Sequence, residues 1–157
     1  MNHVARALLL APLVLACHVL EESPGFVAWF NSHVSRGITP GLFWRVNITA
    51  LIVTVAVVVI EWFWRSGLSL SLALTWLSFL MLANSVLHVA GGIVDGRYVP
   101  GLATAVLLYL PYYAWLFMRA VRSQRVEAAG LVAAAVLGSL PMLIHGYLIL
   151  FRGSRLF

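Results

Sequence analysis

The chain has 157 residues, of which 62% are hydrophobic and 10% charged, and its mean hydropathy is +0.98. An ordinary soluble domain carries roughly 25% charged residues, so a water-soluble core is excluded. At about 20 apolar residues per crossing, the length holds five spans with short connections, one domain over residues 1–157.

The formal charge of +5 comes from ten arginines, with no lysine. They fall at the ends of apolar runs, three of them clustered as Arg119, Arg122 and Arg125. There they meet lipid phosphates and water, so membrane lipids are the expected partners and nucleic acid is not. The single cysteine, Cys17, excludes an internal disulfide and reads as a packing residue.

The first span is expected over residues 4–22, up to the break at Ser23-Pro24-Gly25. Arg6 followed by an apolar run ending at Cys17 also has the outline of a lipoprotein signal. Four further membrane-length runs follow it, so the span is the preferred reading. Residues 26–36 mix Phe26, Trp29 and Phe30 with polar residues and predict a short interfacial helix. Thr39-Pro40 is an N-cap followed by proline and opens a second span over residues 40–64.

A tight turn leads to the third span, residues 69–94, closed by Asp95-Gly96-Arg97. The fourth, 100–118, contains Pro111, and the fifth, 127–151, contains Pro141; both prolines are expected to bend their helices. Trp62, Trp64, Tyr112, Tyr113 and Trp115 fall at one membrane face, and Trp29, Trp44, Tyr98 and Tyr147 toward the other, as interfacial aromatics do. The fold class is therefore all-α, an integral membrane bundle of about five transmembrane helices with one short interfacial helix after the first.

Arg6, Arg65, Arg119, Arg122 and Arg125 share the face of the N-terminus; Arg36, Arg45, Arg97, Arg152 and Arg155 share the opposite one. The cluster on the loop between spans four and five tilts the reading toward a cell-membrane protein with a cytoplasmic N-terminus.

Polar residues within the spans gather near the face opposite the N-terminus. His18, Glu21 and Glu22 end span one; Asn84, His88 and Asp95 lie along one side of span three; His145 lies near the end of span five, and Asn47 near the start of span two. At about 1.5 Å per residue, His18, His88 and His145 share a depth. Gly91-Gly92 would let another backbone approach beside them.

Charged groups inside a bilayer cost roughly 2.5 to 3.5 kcal/mol each, so two adjacent carboxylates require neutralisation. A divalent ion held by two carboxylates and neutral imidazoles has no net charge. Hence His18, Glu21, Glu22, His88 and His145 are candidate ligands for zinc, iron or manganese. Glu21, Glu22 and His88 are the candidate catalytic residues, and Asn47, Asn84 and Asp95 support them.

Plainer readings exist for single residues. Glu21 or Glu22 would pair with Arg45 or Arg97, Asp95 would bond local backbone in a turn, and Glu61 would meet Arg65. His3 and His33 read as exposed.

The string His18-Val19-Leu20-Glu21-Glu22 resembles the signature of the HXXEE-domain family, small multi-pass membrane proteins without an assigned function. Asn84 with His88, and Tyr98, Pro100 and Gly101, also look like the family's pattern. The resemblance implies a shared membrane fold and no reaction.

Three functions are compatible with these residues. The first is a metal-dependent membrane enzyme, a hydrolase or oxidoreductase acting on a lipid or isoprenoid-like substrate, with a carboxylate to spare as base if the metal is zinc. The second is a metal-free acid/base isomerase or cyclase. The third is a small transporter or accessory subunit, which polar residues continuing to the other face would favour.

Overall fold

The computed structural model describes residues 3–153. Five helices long and apolar enough to cross a membrane run over His3–Glu22, Pro40–Trp64, Gly67–Asp95, Leu102–Ser123 and Ala128–Arg152. Among the described residues there is no strand, and the chain is an all-α membrane bundle. Five crossings put the two ends of the described chain on opposite faces. Arg155, counted above for one face, lies outside the described residues.

Span one is two pieces, α1 (His3–Leu8) and α2 (Ala11–Glu22), joined by a turn at Leu9 and Leu10. Pro12 explains the break, since it offers no N–H and its ring opposes the Leu8 carbonyl. The interfacial helix α3 (Phe26–Asn31) is shorter than the apolar pattern predicts. The Asn31 amide stops it by taking both backbone groups of Ile38, donating to O at 3.0 Å and accepting from N at 2.7 Å.

Span two is α4 (Pro40–Trp64), whose N-cap Thr39 accepts from the Leu42 N–H at 3.1 Å. Much of its surface, including Ile52, Val55, Val59 and Phe63, is exposed where lipid would lie.

Spans three and four each change helical gauge partway. Span three consists of α5 (Gly67–Leu77), a π-helical stretch over Ser78–Ala83, and α6 (Asn84–Asp95). Span four consists of α7 (Leu102–Thr104), a second π-helical stretch over Ala105–Tyr109, and α8 (Leu110–Ser123). The second has a local cause, because the ring of Pro111 would otherwise meet the Leu107 carbonyl. Ser85 ties the two stretches, its hydroxyl lying 2.7 Å from the Met81 carbonyl and 3.2 Å from that of Ala105.

Span five, α9 (Ala128–Arg152), remains α-helical through Pro141. Its close approach to α5 is at Gly138, where an added Cβ would sit 2.2 Å from the Thr75 carbonyl oxygen. Of the Gly91-Gly92 pair, Gly92 has backbone beside it, an added Cβ lying 3.6 Å from the Arg97 carbonyl oxygen, whereas a Cβ on Gly91 would fall 2.7 Å from the Trp29 ring, so that glycine admits an aromatic side chain.

At the other membrane face the expected Glu61–Arg65 pair is replaced. Glu61 is fully buried and takes a bidentate contact from Arg125, on the loop between spans four and five, plus a 2.6 Å hydrogen bond from Ser69. Arg65 cannot reach it, because it caps α4 in a left-handed conformation and donates to the Trp62 carbonyl at 2.9 Å. The pair pins spans two and three to that loop.

Candidate functional site

In α2, His18 and Glu22 are four residues apart and share one side of the helix, facing inward. His88 approaches from α6. Its Nε2 lies 3.1 Å from Glu22 Oε1, and His18 Nε2 lies 3.4 Å from the same oxygen. The three residues are at most 5% exposed, and one ligand atom from each falls within 4.8 Å of the others. Among the described residues this is the one such cluster of three.

Each member is oriented from outside. His18 Nδ1 faces the Thr104 hydroxyl at 2.7 Å, and the Asn84 amide nitrogen stands 3.0 Å from His18 Nε2. The Tyr109 ring lies 4.1 Å from the His18 ring, fully buried, its hydroxyl making no hydrogen bond among the described residues. His88 is held by shape: Trp29 lies nearly parallel to it at 6.4 Å, Phe26 is at 6.0 Å, and the His18 ring meets it edge-on at 5.0 Å.

Neither His88 nitrogen makes a hydrogen bond that meets strict geometry among the described residues, and the close polar contact of the ring is that of Nε2 with Glu22 Oε1 at 3.1 Å. Gly101 closes the site from the start of span four. A Cβ there would fall 2.6 Å from His88 Cε1, 2.9 Å from Glu22 Cγ and 3.0 Å from His18 Cε1.

The sequence from His18 to Glu22 reads His-Val-Leu-Glu-Glu, and the match to the family described as proteins of unknown function with an HXXEE motif covers residues 9–116. The chain belongs to the HXXEE family. No curated protein and no solved structure matches it. The HXXEE match contains His18, Glu21, Glu22, His88, Thr104 and Tyr109, and ends before span five.

The two glutamates of the HXXEE motif part company. Glu21, one residue before Glu22 and so about 100° around the helix, faces the incoming fourth span. Its Oε1 accepts from the Tyr98 hydroxyl and from the Ala103 N–H at 3.0 Å, and its Oε2 from the Thr104 N–H at 2.7 Å. It caps the start of span four and is not among the cluster of three that the expected ligands form. The Tyr98 phenol, hydrogen-bonded to this carboxylate, has its pKa pushed up to about 12. Neither glutamate pairs with Arg45 or Arg97.

His145, expected as a ligand, also stands apart from the cluster of three. It lines, with Glu22, Asn84 and Asn47, a cavity of about 300 Å³ whose other walls are apolar. Asn47 donates back to the Phe43 carbonyl at 3.0 Å. Asp95 is no local turn residue: its Oδ2 accepts from the Trp29 indole N–H at 2.8 Å, and its Oδ1 lies 2.9 Å from His33 Nε2. His33, read as exposed and without a role, is therefore part of a clamp that holds Trp29 against His88.

The residues that sequence reasoning missed are Thr104, Tyr109, Gly101 and Trp29. Gly101 alone carried a signal, as part of the family pattern.

Proposed function

We propose that this HXXEE protein is a membrane-embedded enzyme in which His18, Glu22 and His88 hold a divalent transition-metal ion, with a lipid or isoprenoid-like molecule bound in the adjoining cavity. One observation carries the reading: two imidazoles and a carboxylate from two spans are buried with their ligand atoms together, while both His88 nitrogens lack hydrogen bonds. A purely structural cluster would leave both nitrogens without an aligned partner, at about 1 to 3 kcal/mol per buried polar group. A metal ion would engage one of them.

Two imidazoles and one carboxylate are a ligand set shared by zinc hydrolases and non-haem iron oxygenases, both of which keep a position open for water or substrate. With Glu21 turned away, the divalent ion and its ligands carry a net charge of +1. This favours an oxygen anion in the open position. It also removes the spare carboxylate that a zinc hydrolase would use as base, leaving Asn84, the Thr104 hydroxyl and Tyr109 beside the cluster.

A metal-free acid/base enzyme is the second reading, favoured by the approach of both imidazoles to a single Glu22 oxygen, the geometry of a proton relay. Transport has less support, because Leu77 and Met81 of span three are fully buried and Glu61 at the other face is tied up by Arg125. Arg119 and Arg122 in the last turns of α8, with Arg125 on the loop that follows, support a cell-membrane orientation with a cytoplasmic N-terminus.

The test is elemental analysis of gently purified protein. Stoichiometric metal in wild type and in Glu21→Gln, lost in Glu22→Gln and His88→Ala, is the expected result. A folded wild type that stays metal-free after metal-replete preparation moves the assignment to the proton-transfer enzyme.

A further inference from the structure

The cavity beside Glu22 has a shape and polarity that narrow what it can hold. Its walls come from α3, α4, span three and α9, with Phe30, Phe43, Ala50, Phe79, Leu80 and Met142 supplying most of the apolar surface. Glu22 and Asn84 are its polar members on the cluster side, and Asn47 and His145 those on α4 and α9. Ala50, Phe79, Leu80 and Met142, each about one helical turn further from the face opposite the N-terminus, carry the apolar surface deeper into the bundle. Val46, 57% exposed on α4, stands at the rim. The cavity thus opens sideways, at the level of the spans, where lipid would meet it.

At about 300 Å³ it is at the small end of ligand pockets, which run roughly 300 to 1,000 Å³. That is room for one hydrocarbon chain and not for the two of a phospholipid. The buried cluster likewise leaves no room for a bulky head. Resting on the enzyme reading above for the chemistry at the head, we infer that the substrate is a single-chain amphiphile with one small oxygen-bearing head, a fatty or isoprenoid alcohol or acid. It enters from the bilayer past Val46, its head reaching Glu22 and Asn84 and its chain lying against Phe79, Leu80 and Ala50.

Photo-crosslinking of the full chain in detergent–lipid micelles tests this. The probes are a diazirine-bearing twelve-carbon fatty acid, the matching fatty alcohol and a diazirine phosphatidylcholine, with sites read by peptide mass spectrometry. Either single-chain probe should label Phe79, Leu80, Ala50 or Met142 and be competed by its unlabelled parent; which of the two labels more tells acid from alcohol. The two-chain probe should label the outer surface of α4, around Ile52 and Phe63, without competition. Ala50→Trp, or Val46→Trp at the exposed rim should the first fail to fold, should lower cavity labelling by about tenfold and leave metal content unchanged.

Single-chain probes that label the same outer residues as phosphatidylcholine, or cavity labelling unaffected by both tryptophans, would overturn the inference. The companion metal analysis keeps the two assignments apart. Cavity labelling in a metal-free protein sinks the metal and leaves the chain; a metal-loaded protein whose cavity takes no single-chain probe sinks the chain alone.

Discussion

The Thr104 hydroxyl lies 2.7 Å from Nδ1 of His18 and 3.3 Å from the Gly101 carbonyl, to which it donates. With that bond made, the hydroxyl accepts a hydrogen bond from His18 Nδ1–H, and the Asn84 amide donates to the Nε2 lone pair at 3.0 Å. These contacts favour the tautomer protonated at Nδ1, and a metal ion at His18 would take the Nε2 lone pair in place of the Asn84 amide. Outer partners of this kind tune a metal-binding histidine by about 10- to 100-fold in affinity. Thr104→Val should weaken metal binding by that factor in a chelator competition, whereas Thr104→Ser should not.

Gly101 offers a sharper steric test. Its φ of +93° disfavours any side chain, and a Cβ would also intrude on His18, Glu22 and His88. Gly96 has φ +61° with nothing within 4 Å of its Cβ position. Alanine at Gly96 should cost only the backbone term, roughly 1 to 2 kcal/mol. Gly101→Ala should lower the melting temperature further and abolish metal retention, and equal effects at the two positions would show that Gly101 does not close the site.

The spans were legible because five apolar runs exceed membrane thickness and carry aromatic ends, and the depth of His18 and His88 followed from helical rise alone. What depth does not convey is azimuth. Glu21 and His145 share the level of the cluster, yet one caps span four and the other stands across the cavity. The π-helical stretches have no periodicity of their own, so the placement of Thr104 and Tyr109 against His18 was hidden. Glu61 could have met any arginine of its face; the choice of Arg125 depends on how the loop after span four folds back.

Glu21 should prove to be a staple rather than a ligand. Glu21→Gln retains one acceptor but presents an NH₂ group to a backbone N–H, so the start of span four should loosen while metal stoichiometry persists. Tyr98 reports on this contact. Its folded pKa of about 12 lies above the ordinary 10, so the folded state holds the phenolic proton more tightly. That stability is intact below pH 10 and lost as pH rises through 12. Stability followed from pH 9 to 12 should fall more steeply for wild type than for Tyr98→Phe, and ultraviolet titration should find the Tyr98 phenol ionising at lower pH in Glu21→Gln.

The Glu61–Arg125 pair is a stability element remote from the cluster. Removing one member of a buried pair costs about 3 to 5 kcal/mol, whereas replacing both with apolar residues is often nearly neutral. Because Arg125 keeps some exposure, the lower figure applies. Arg125→Met should therefore melt well below the Arg125→Met/Glu61→Leu double variant, with metal content alike in both. A double variant no more stable than the single would mean that the Arg125 contact to the Ser66 carbonyl, and not the ion pair, holds the loop.

Asp95 should act on the site only through Trp29. Its two oxygens engage the Trp29 indole and His33, while both ring nitrogens of His33 face acceptors, the second being the Trp29 carbonyl at 2.9 Å. The arrangement fixes the C-terminal end of α3 over α6, and Trp29 in turn covers His88 and fills the space left by Gly91. In Asp95→Ala the indole N–H loses its acceptor and α3 its tether, but α2 and α6 keep their own packing. Hydrogen exchange of the α3 amides should then quicken, by about tenfold for the loss of roughly 1.4 kcal/mol of local stability, while His18, Glu22 and His88 still retain metal. Trp29→Phe keeps the ring over His88 and loses only the hydrogen bond, so it should share the faster exchange. Metal loss in Asp95→Ala as complete as in His88→Ala, with α3 exchange unchanged, would place Asp95 in the site itself and end its role as a clamp.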